Sequence, residues 1–390
     1  MNSYDAVVVG GGVIGVCTAY YFVKEGLRVA LLEKGDIASG TSSSCDGNIL
    51  IHDKQPGFDT HLAYSSQQLF KQLINEISED VEYRQKGSVL LIENEEEMKV
   101  AQSFARQQIE DGYPFRIIDQ KEIGKQEPYL AEDIIGALEI DCDASINPMA
   151  FAFGLLERAK TMGAEIFPYT PVTGIETGNN GEVTAVISNN DTFRTKSVIN
   201  CAGVWAPVIG KMVDIDIPII PRQGQILISE RTFPVGSRKI VEFGYMMAKF
   251  GKDTYKRDVD PNLDKLGIAF VFEPTASNNF LIGSSRAFMG FNTDVTIDVL
   301  KGLAKRALRF FPIMKNINVI RSYAGLRPYT SDHFPIISEV ESVPGFYIAA
   351  GHEGDGIGLA PITGKLMSQL VTNKKTDIET KKLSYSRFFV

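Results

Sequence analysis

Three glycines near the N-terminus are the residues of this chain whose spacing has the clearest chemical use. Gly10, Gly12 and Gly15 follow an apolar strand and open a helix, so a backbone without side chains can approach a pyrophosphate closely. Glu33 ends a second short apolar strand, at the distance expected for an acid that accepts hydrogen bonds from ribose hydroxyls. The pattern predicts adenine dinucleotide binding, and the alternative is an ordinary glycine-rich turn.

A second strand, glycine-rich turn and helix lies near the end of the chain. Residues 346–351 predict a strand, residues 352–358 are rich in glycine, and residues 361–370 predict a helix. A nicotinamide cofactor needs only one such element, for its pyrophosphate. A flavin ring becomes negative at one edge on reduction, so it gains from a second helix N-terminus with its partial positive charge. The second element therefore favours FAD over NAD.

The composition indicates a globular enzyme that folds into two domains with interleaved segments. A chain of 390 residues with 44% hydrophobic and 23% charged residues can bury a large core. The net charge of −8 argues against nucleic acid as the main partner. No apolar run approaches the roughly 18 residues of a membrane span, so we expect no transmembrane segment. The first strand begins within three residues of the N-terminus, which favours a cytoplasmic protein; membrane association through a complex stays open.

The four cysteines are scattered along the chain, without a C-x-x-C pair or a cluster of histidines. They are Cys17, Cys45, Cys142 and Cys201. This spacing predicts neither a metal site nor a disulfide framework. Cys17 and Cys201 are expected to be core thiols. Cys45 lies in a loop of small residues, where it is either another packed thiol or a redox group near the cofactor.

The middle of the chain predicts a second sheet. Residues 81–92 predict a strand pair, residues 95–111 predict an amphipathic helix, and residues 218–320 alternate strands with a helix near 298–310. Residues 245–264 are polar and contain several Lys and Asp residues. They predict either a loop over the active site or a solvated excursion without a function.

Five motifs occur in the order that is typical of one family. They are the glycines of 10–15, Glu33, and residues 200–203, 324–328 and 351–358. Over essentially its whole length the chain resembles the D-amino acid oxidase-like flavoenzymes, which include glycine oxidase, sarcosine oxidase and D-amino acid dehydrogenases. Within that family it is most similar to the FAD (beta-type) subunits of heteromeric proline, hydroxyproline and octopine-type dehydrogenases.

The resemblance implies a mixed α/β (α+β) fold with two domains. A Rossmann-like FAD-binding domain is built from discontinuous segments, and a substrate-binding domain carries a mixed, mainly antiparallel sheet. We expect the FAD-binding domain to comprise residues 1–80, 142–217 and 322–390, and the substrate-binding domain to comprise residues 81–141 and 218–321.

The resemblance also implies which residues contact the cofactor. They are Gly10, Gly12, Ile14, Gly15, Glu33, Lys34, Ser42, Ser43, Gly47, Val172, Ala202, Gly203, Gly325, Gly354, Asp355, Gly356 and Ile357. The FAD is expected to be noncovalent, because monomeric sarcosine oxidase attaches its flavin through a late cysteine and the last cysteine here is Cys201. An FMN at a subunit interface stays open, although no histidine between His61 and His333 could attach it.

Four residues are candidates for the chemistry: Arg327, Tyr245, His352 and His52. A guanidinium is planar, always charged and bidentate, and the resemblance makes Arg327 the residue that binds a substrate carboxylate. The alternative for Arg327 is a structural role on carbonyls of the sheet. Tyr245 resembles the active-site tyrosine of some family members, which implies that it donates to the same carboxylate; the alternative is an ordinary half-buried tyrosine. Either histidine would tune the protonation of the substrate amine or contact the ring.

These features predict oxidation of a small amino or imino acid to the imine, by hydride transfer to flavin N5. The substrate is expected to be of the proline, hydroxyproline, sarcosine, D-amino acid or opine type. The subunit-like resemblance favours a dehydrogenase that passes electrons to a partner subunit over a self-sufficient glycine or sarcosine oxidase that produces hydrogen peroxide. Two alternatives are a 2-hydroxy acid or polyol phosphate dehydrogenase, and a non-catalytic subunit that FAD stabilises.

One departure from the family concerns the charge of the pocket. Glycine oxidase-like members usually carry a second arginine in the motif that here contains Glu353 and Asp355. We therefore expect a substrate with an additional cationic or polar group.

Overall fold

A computed structural model describes residues 3–189, 191–250, 257 and 259–389. The strands in these ranges are β1 (Ala6–Val9), β2 (Val29–Leu32), β3 (Asn48–Ile49), β4 (Ser88–Ile92), β5 (Phe115–Asp119), β6 (Gly136–Ile140), β7 (Ala144–Ser145), β8 (Glu165–Phe167), β9 (Val172–Thr177), β10 (Val183–Ser188), β11 (Thr192–Arg194), β12 (Val198–Asn200), β13 (Ile220–Ser229), β14 (Lys239–Glu242), β15 (Val271–Pro274), β16 (Phe280–Gly283), β17 (Val319–Tyr329), β18 (Ile336–Glu339) and β19 (Phe346–Ala350). The α-helices are α1 (Val13–Lys24), α2 (Phe58–Leu73), α3 (Glu95–Glu110), α4 (Gln120–Gln126), α5 (Pro148–Thr161), α6 (Ala206–Gly210), α7 (Phe243–Phe250), α8 (Pro261–Lys265), α9 (Ile297–Phe310) and α10 (Gly356–Val371). In the ranges described, no helix combines the length and the apolar character that crossing a membrane requires.

A six-stranded sheet carries the N-terminal glycine motif. Its strand order is β18-β19-β12-β1-β2-β8, and all pairs are parallel except β18 with β19. Every residue of β1 and β2 is buried, as expected for parallel strands that are covered on both faces. Helices α1 and α10 pack together at Gly364, where a Cβ would lie 2.6 Å from the carbonyl oxygen of Cys17. The predicted strand, turn, helix and strand at the N-terminus are confirmed.

An eight-stranded sheet forms the second layer of the site. Its order is β17-β13-β16-β15-β14-β4-β6-β5, and the pairs are antiparallel except β14 with β4. The predicted mixed, mainly antiparallel sheet is therefore confirmed. Strand β17 pairs with β13 from Val319 to Tyr329, so the expected boundary between residues 321 and 322 falls inside a strand. The division of the chain into domain segments stays a prediction.

Two expectations for local structure were wrong. Residues 81–92 form the single strand β4 instead of a strand pair, because Glu82 and Gly87 adopt positive φ angles of 55° and 75° that interrupt an extended chain. Tyr245 lies in helix α7, and not in a loop. Phe243, Met246 and Met247 are buried there at the i, i+3, i+4 spacing of a helix face. Of the segment 245–264, residues 251–256 and 258 lie outside the described residues.

Candidate functional site

A cavity of about 560 Å³ lies where the ends of the parallel strands face the eight-stranded sheet. Most of the residues predicted for cofactor and substrate line it, namely Gly10, Gly12, Ile14, Glu33, Lys34, Ser42, His52, Val172, Ala202, Gly203, Tyr245, Gly325, Arg327, His352, Gly354, Asp355, Gly356 and Ile357. The ends of parallel strands are where open α/β sheets bind their ligands. The structure thus brings together segments that are more than 300 residues apart in the chain.

Three predicted cofactor residues are not among those that line the cavity. Gly15 packs helix α1 on the strand before it, since a Cβ there would lie 1.8 Å from the carbonyl oxygen of Gly10. Gly47 packs in the same way on Ile146, at 1.8 Å from its carbonyl oxygen. Ser43 is exposed, and its hydroxyl donates to the carbonyl of Gly40. Each of these positions is explained by local packing or turn geometry.

The start of helix α1 offers backbone donors to an anion. Gly10 has a φ of +111°, and Gly12 is an N-cap that makes no side-chain capping hydrogen bond. A Cβ on Gly12 would lie 3.3 Å from the hydroxyl oxygen of Ser42, and that oxygen accepts the amide hydrogen of Val13. The first turn of α1 contains no acid. This backbone cradle, which a side chain would narrow, fits a pyrophosphate.

Glu33 is held beside the same cradle by backbone amides. Its carboxylate accepts hydrogen bonds from Gly11 N at 2.7 Å and from Gly35 N at 2.9 Å. An ionised carboxylate has about four lone-pair sites, so acceptor capacity remains for ribose hydroxyls. Lys34 lies beside it with Nζ 3.5 Å from the centroid of the Trp205 ring. Partial burial lowers the pKa of Lys34, and this cation and ring line the end of the cavity beside Glu33.

Helix α10 starts at the opposite end of the cavity. It begins at Gly356, five residues before the predicted start, with no side-chain cap and no acid in its first turn. The N-cap residue Asp355 instead accepts a hydrogen bond from Lys54 Nζ at 2.6 Å. The amides of the first turn are therefore available to a group that gains negative charge, which fits the edge of a flavin ring. The residues present thus fit FAD.

Two arginines face each other on the roof of the cavity. Arg222 of β13 and Arg327 of β17 are directly opposite in the antiparallel register. The Arg327 guanidinium is partly buried, donating from Nη1 to the carbonyl of Ser285 at 2.9 Å and from Nη2 to the hydroxyl of Ser284 at 2.8 Å. Burial, opposed in part by Tyr245, lowers the pKa of Arg327. Gly224 leaves room for this group, since a Cβ there would lie 2.4 Å from Nη2.

A third arginine, Arg286, completes this group. Its guanidinium carbon lies 4.1 Å from the centroid of the Tyr245 ring, and one of its nitrogens contacts the Tyr245 hydroxyl. Burial, Arg286 and Arg327 together lower the pKa of Arg222 to about 9. Sequence reasoning missed Arg222 and Arg286. The only signal was that Arg286 follows a predicted strand at its end, where site residues often lie.

The two acids of the glycine-rich turn are paired with cations of the chain. Glu353 forms an ion pair with Arg222 and lies 2.9 Å from Nδ1 of His333. Asp355 is bonded to Lys54, which is itself buried. Both carboxylates therefore already have cationic partners from distant segments, and the expected cationic or polar group of the substrate stays a prediction.

A family model for FAD-dependent oxidoreductases matches residues 5–370. The chain belongs to this family, the D-amino acid oxidase-like flavoenzymes. It is 29% identical to glycine oxidase of Geobacillus kaustophilus over 396 residues, covering 99% of this chain and 97% of that protein. It is 29% identical to glycerol 3-phosphate dehydrogenase of Caloramator mitchellensis over 390 residues, covering 97% and 76%. The crystal structure of L-proline dehydrogenase from P. horikoshii superposes with a TM-score of 0.88 at 25% identity, covering 100% and 98%.

Both predicted histidines of this flavoenzyme line the cavity, and both rings have buried partners. Nδ1 of His52 lies 2.8 Å from the hydroxyl of Ser88, which donates to Asp143 at 2.6 Å. Nε2 of His352 lies 2.9 Å from the hydroxyl of Thr363, and burial lowers the pKa of His352 to about 3. His352 is thus neutral near pH 7.

Two further groups line the cavity. The sequence predicted no role for Lys239, and it left two alternatives for Cys45. Lys239 is buried with Nζ 3.0 Å from a carboxylate oxygen of Asp46 and 3.2 Å from one of Glu273. The thiol of Cys45 donates to the carbonyl of Ser42 at 3.3 Å, and burial raises its pKa well above the usual value. A thiol that stays protonated is a poor nucleophile, which favours the packing role for Cys45 over the redox role.

Proposed function

We propose that this flavoenzyme oxidises a small amino or imino acid whose carboxylate is bound by Arg327. The observation that carries the proposal is the hydrogen bonding of the partly buried guanidinium, which is oriented by two neutral serine groups and bonded to no acid among the described residues. A buried cation without an anionic partner is costly, and a substrate carboxylate would supply that partner. Proline, hydroxyproline, sarcosine, D-amino acid and opine types all carry this group.

The chain's own residues orient the substrate and do not need to supply a strong base. With its carboxylate on Arg327, the substrate would present its α-carbon toward the part of the cavity where Gly356 and Ile357 begin α10. FAD, when bound, accepts the hydride that leaves the α-carbon as the substrate becomes an imine. With a pKa of about 3, His352 is too weak a base to take a proton from the substrate ammonium, so the neutral form of the amine comes from solution or from binding.

Several finer features stay predictions within this proposal. The subunit-like resemblance supports electron transfer to a partner subunit, an FMN at such an interface and a cytoplasmic location. Among the relatives named above are both an oxidase and a dehydrogenase, so the electron acceptor is a matter for experiment.

Anaerobic reduction of the purified yellow protein tests the proposal. Proline, 4-hydroxyproline isomers, sarcosine, glycine, D-amino acids and 2-hydroxy acids are added in turn, the flavin absorbance is followed, and air is then admitted. Bleaching by an amino or imino acid is the expected result. Slow reoxidation would then indicate a dehydrogenase that needs a partner, and fast reoxidation with peroxide an oxidase. Bleaching by none of the amines would overturn the proposal.

Oxidation of a polyol phosphate is the second candidate function. The similarity to a glycerol 3-phosphate dehydrogenase over 97% of the chain favours it, as does the group of arginines, because guanidinium binds phosphate as well as carboxylate. Bleaching by glycerol 3-phosphate, with none by amines, would select this function.

A further inference from the structure

The roof of the cavity carries more positive charge than one substrate carboxylate would neutralise. Arg222, Arg286 and Arg327 all line it, and Arg222 and Arg327 are cross-strand neighbours. Like charges that lie directly opposite on adjacent strands destabilise a sheet. The β-bridge between Gln223 and Ala287 brings Arg286 to the same stretch of β13.

The acids at this end of the cavity are bonded to cations other than Arg286 and Arg327 in the described part of the chain. Glu353 is paired with Arg222, Asp53 and Asp355 share Lys54, and Asp46 and Glu273 share Lys239. These pairings leave Arg286 and Arg327, whose hydrogen-bond partners among the described residues are Tyr245 and the two serines, which are all neutral.

Arg286 also retains donor capacity inside the site. Its Nε is buried and has no hydrogen-bond partner within the described part of the chain. Its guanidinium carbon lies 4.1 Å from the centroid of the Tyr245 ring, and one of its nitrogens contacts the Tyr245 hydroxyl, so Tyr245 restrains the group at two points. A planar donor that is fixed in this way suits a second carboxylate.

We infer that the preferred substrate is a dicarboxylic amino or imino acid, with one carboxylate on Arg327 and the other on Arg286. This inference rests on the proposed function and names its substrate class. It replaces the expected cationic or polar substituent with an anionic one, because Glu353 and Asp355 are occupied.

Binding of non-oxidisable probes to the FAD-loaded protein tests the inference separately from catalysis. Succinate and butyrate have the same number of carbons and differ by one carboxylate, so calorimetric titration with each isolates the second charge. We expect succinate to bind about tenfold more tightly or better. Equal affinities would overturn the inference, whether or not any amine reduces the flavin.

Arg286→Met should reduce the advantage of succinate to less than about threefold, and Arg286→Lys should retain part of it. Arg321→Met is the matched control, because Arg321 is on the same strand as Arg327 but is exposed. Its preference for succinate should equal that of the unmodified protein. An unchanged preference in Arg286→Met would contradict the role of Arg286.

Oxidation completes the test with a second matched pair, sarcosine and iminodiacetate, in which a carboxymethyl group replaces the N-methyl group. The expected result is flavin reduction by iminodiacetate at a concentration about tenfold lower or less. A preference for succinate without reduction by any amine would overturn the proposed function and leave a site for two carboxylates. Reduction by glycerol 3-phosphate with equal binding of succinate and butyrate would overturn the inference in favour of a phosphate ester.

Discussion

Nε2 of His352, in the turn before α10, and the hydroxyl oxygen of Thr363, within α10, are 2.9 Å apart, and both residues are buried. The single hydroxyl hydrogen of Thr363 is donated to the carbonyl of Leu359 at 2.8 Å. The hydroxyl must therefore accept from Nε2–H, which fixes the neutral tautomer of the imidazole. His352 therefore lines the cavity as a neutral imidazole that is protonated at Nε2. Any part that it plays in the reaction must be played by this neutral form.

The buried His352 predicts a loss of stability in mild acid. Its pKa of about 3 in the folded protein lies below the usual value of about 6.5 in an unfolded chain. Its contribution to stability is therefore complete above about pH 6.5 and is lost progressively as the pH falls toward 3. Between pH 7 and pH 5 the free energy of unfolding should fall by about 2 kcal/mol more in the unmodified protein than in His352→Gln. Urea unfolding at both pH values measures this difference, and equal losses would contradict it.

We predict that the stability of the protein depends strongly on the buried ammonium of Lys54. Its ammonium lies between Asp53 and Asp355, at 2.6 Å from a carboxylate oxygen of each, and these carboxylates raise its pKa above the usual value despite its burial. Lys54→Met should lower the free energy of unfolding by about 3 kcal/mol, because it removes the buried ammonium that two acids share. Lys24→Met is the control, since the pair of Lys24 with Glu76 is much more exposed and is worth less than about 1 kcal/mol. Equal losses of unfolding free energy in the two variants would contradict the prediction that burial makes the ion pairs of Lys54 more stabilising than that of Lys24.

The parts of the site that could be predicted from the sequence depend on local spacing. The turn at Gly10 and Gly12 and the acid at Glu33 lie within one strand, helix and strand, whose apolar pattern and glycines are readable without tertiary information. Arg327 was found through a family motif. The placement of these residues beside the cavity could therefore be predicted before any contact across the fold was known, and their roles stay predictions.

The parts that could not be predicted depend on register between distant segments. Arg222 faces Arg327 because β13 and β17 pair, and Lys54 meets Asp355 across 301 positions of sequence. Neither pairing leaves a local pattern. For the same reason Glu353 and Asp355 were expected to be available to a substrate, since their partners are not neighbours in the chain.

We predict that a substitution at Gly224 displaces the Arg327 guanidinium without removing its charge. A Cβ in Gly224→Ala would lie 2.4 Å from Nη2 of Arg327, so the guanidinium must move away from its two serine partners. A misplacement of about 1 Å can cost 100-fold in rate, and we expect kcat/KM for an amine substrate to fall by at least about tenfold while FAD content is unchanged. Gly124→Ala, in helix α4 with nothing within 4 Å of the added Cβ, should have neither effect. Undiminished kcat/KM in Gly224→Ala would remove Arg327 from the proposed carboxylate site.

We predict that a bulky substitution at Gly12 abolishes retention of the cofactor. A Cβ added to Gly12 would lie 3.3 Å from the hydroxyl oxygen of Ser42. The larger, branched side chain in Gly12→Val would displace that hydroxyl from Val13 N and would occupy the cradle at the start of α1. The backbone donors would then no longer reach a pyrophosphate. We expect the purified variant to be folded by circular dichroism but colourless, with FAD absent from the heat-released supernatant. Because the arginines of the roof lie on segments distant in sequence from Gly12, butyrate and succinate binding would report on them independently. A yellow Gly12→Val protein with one FAD per chain would show that the cofactor does not use this cradle.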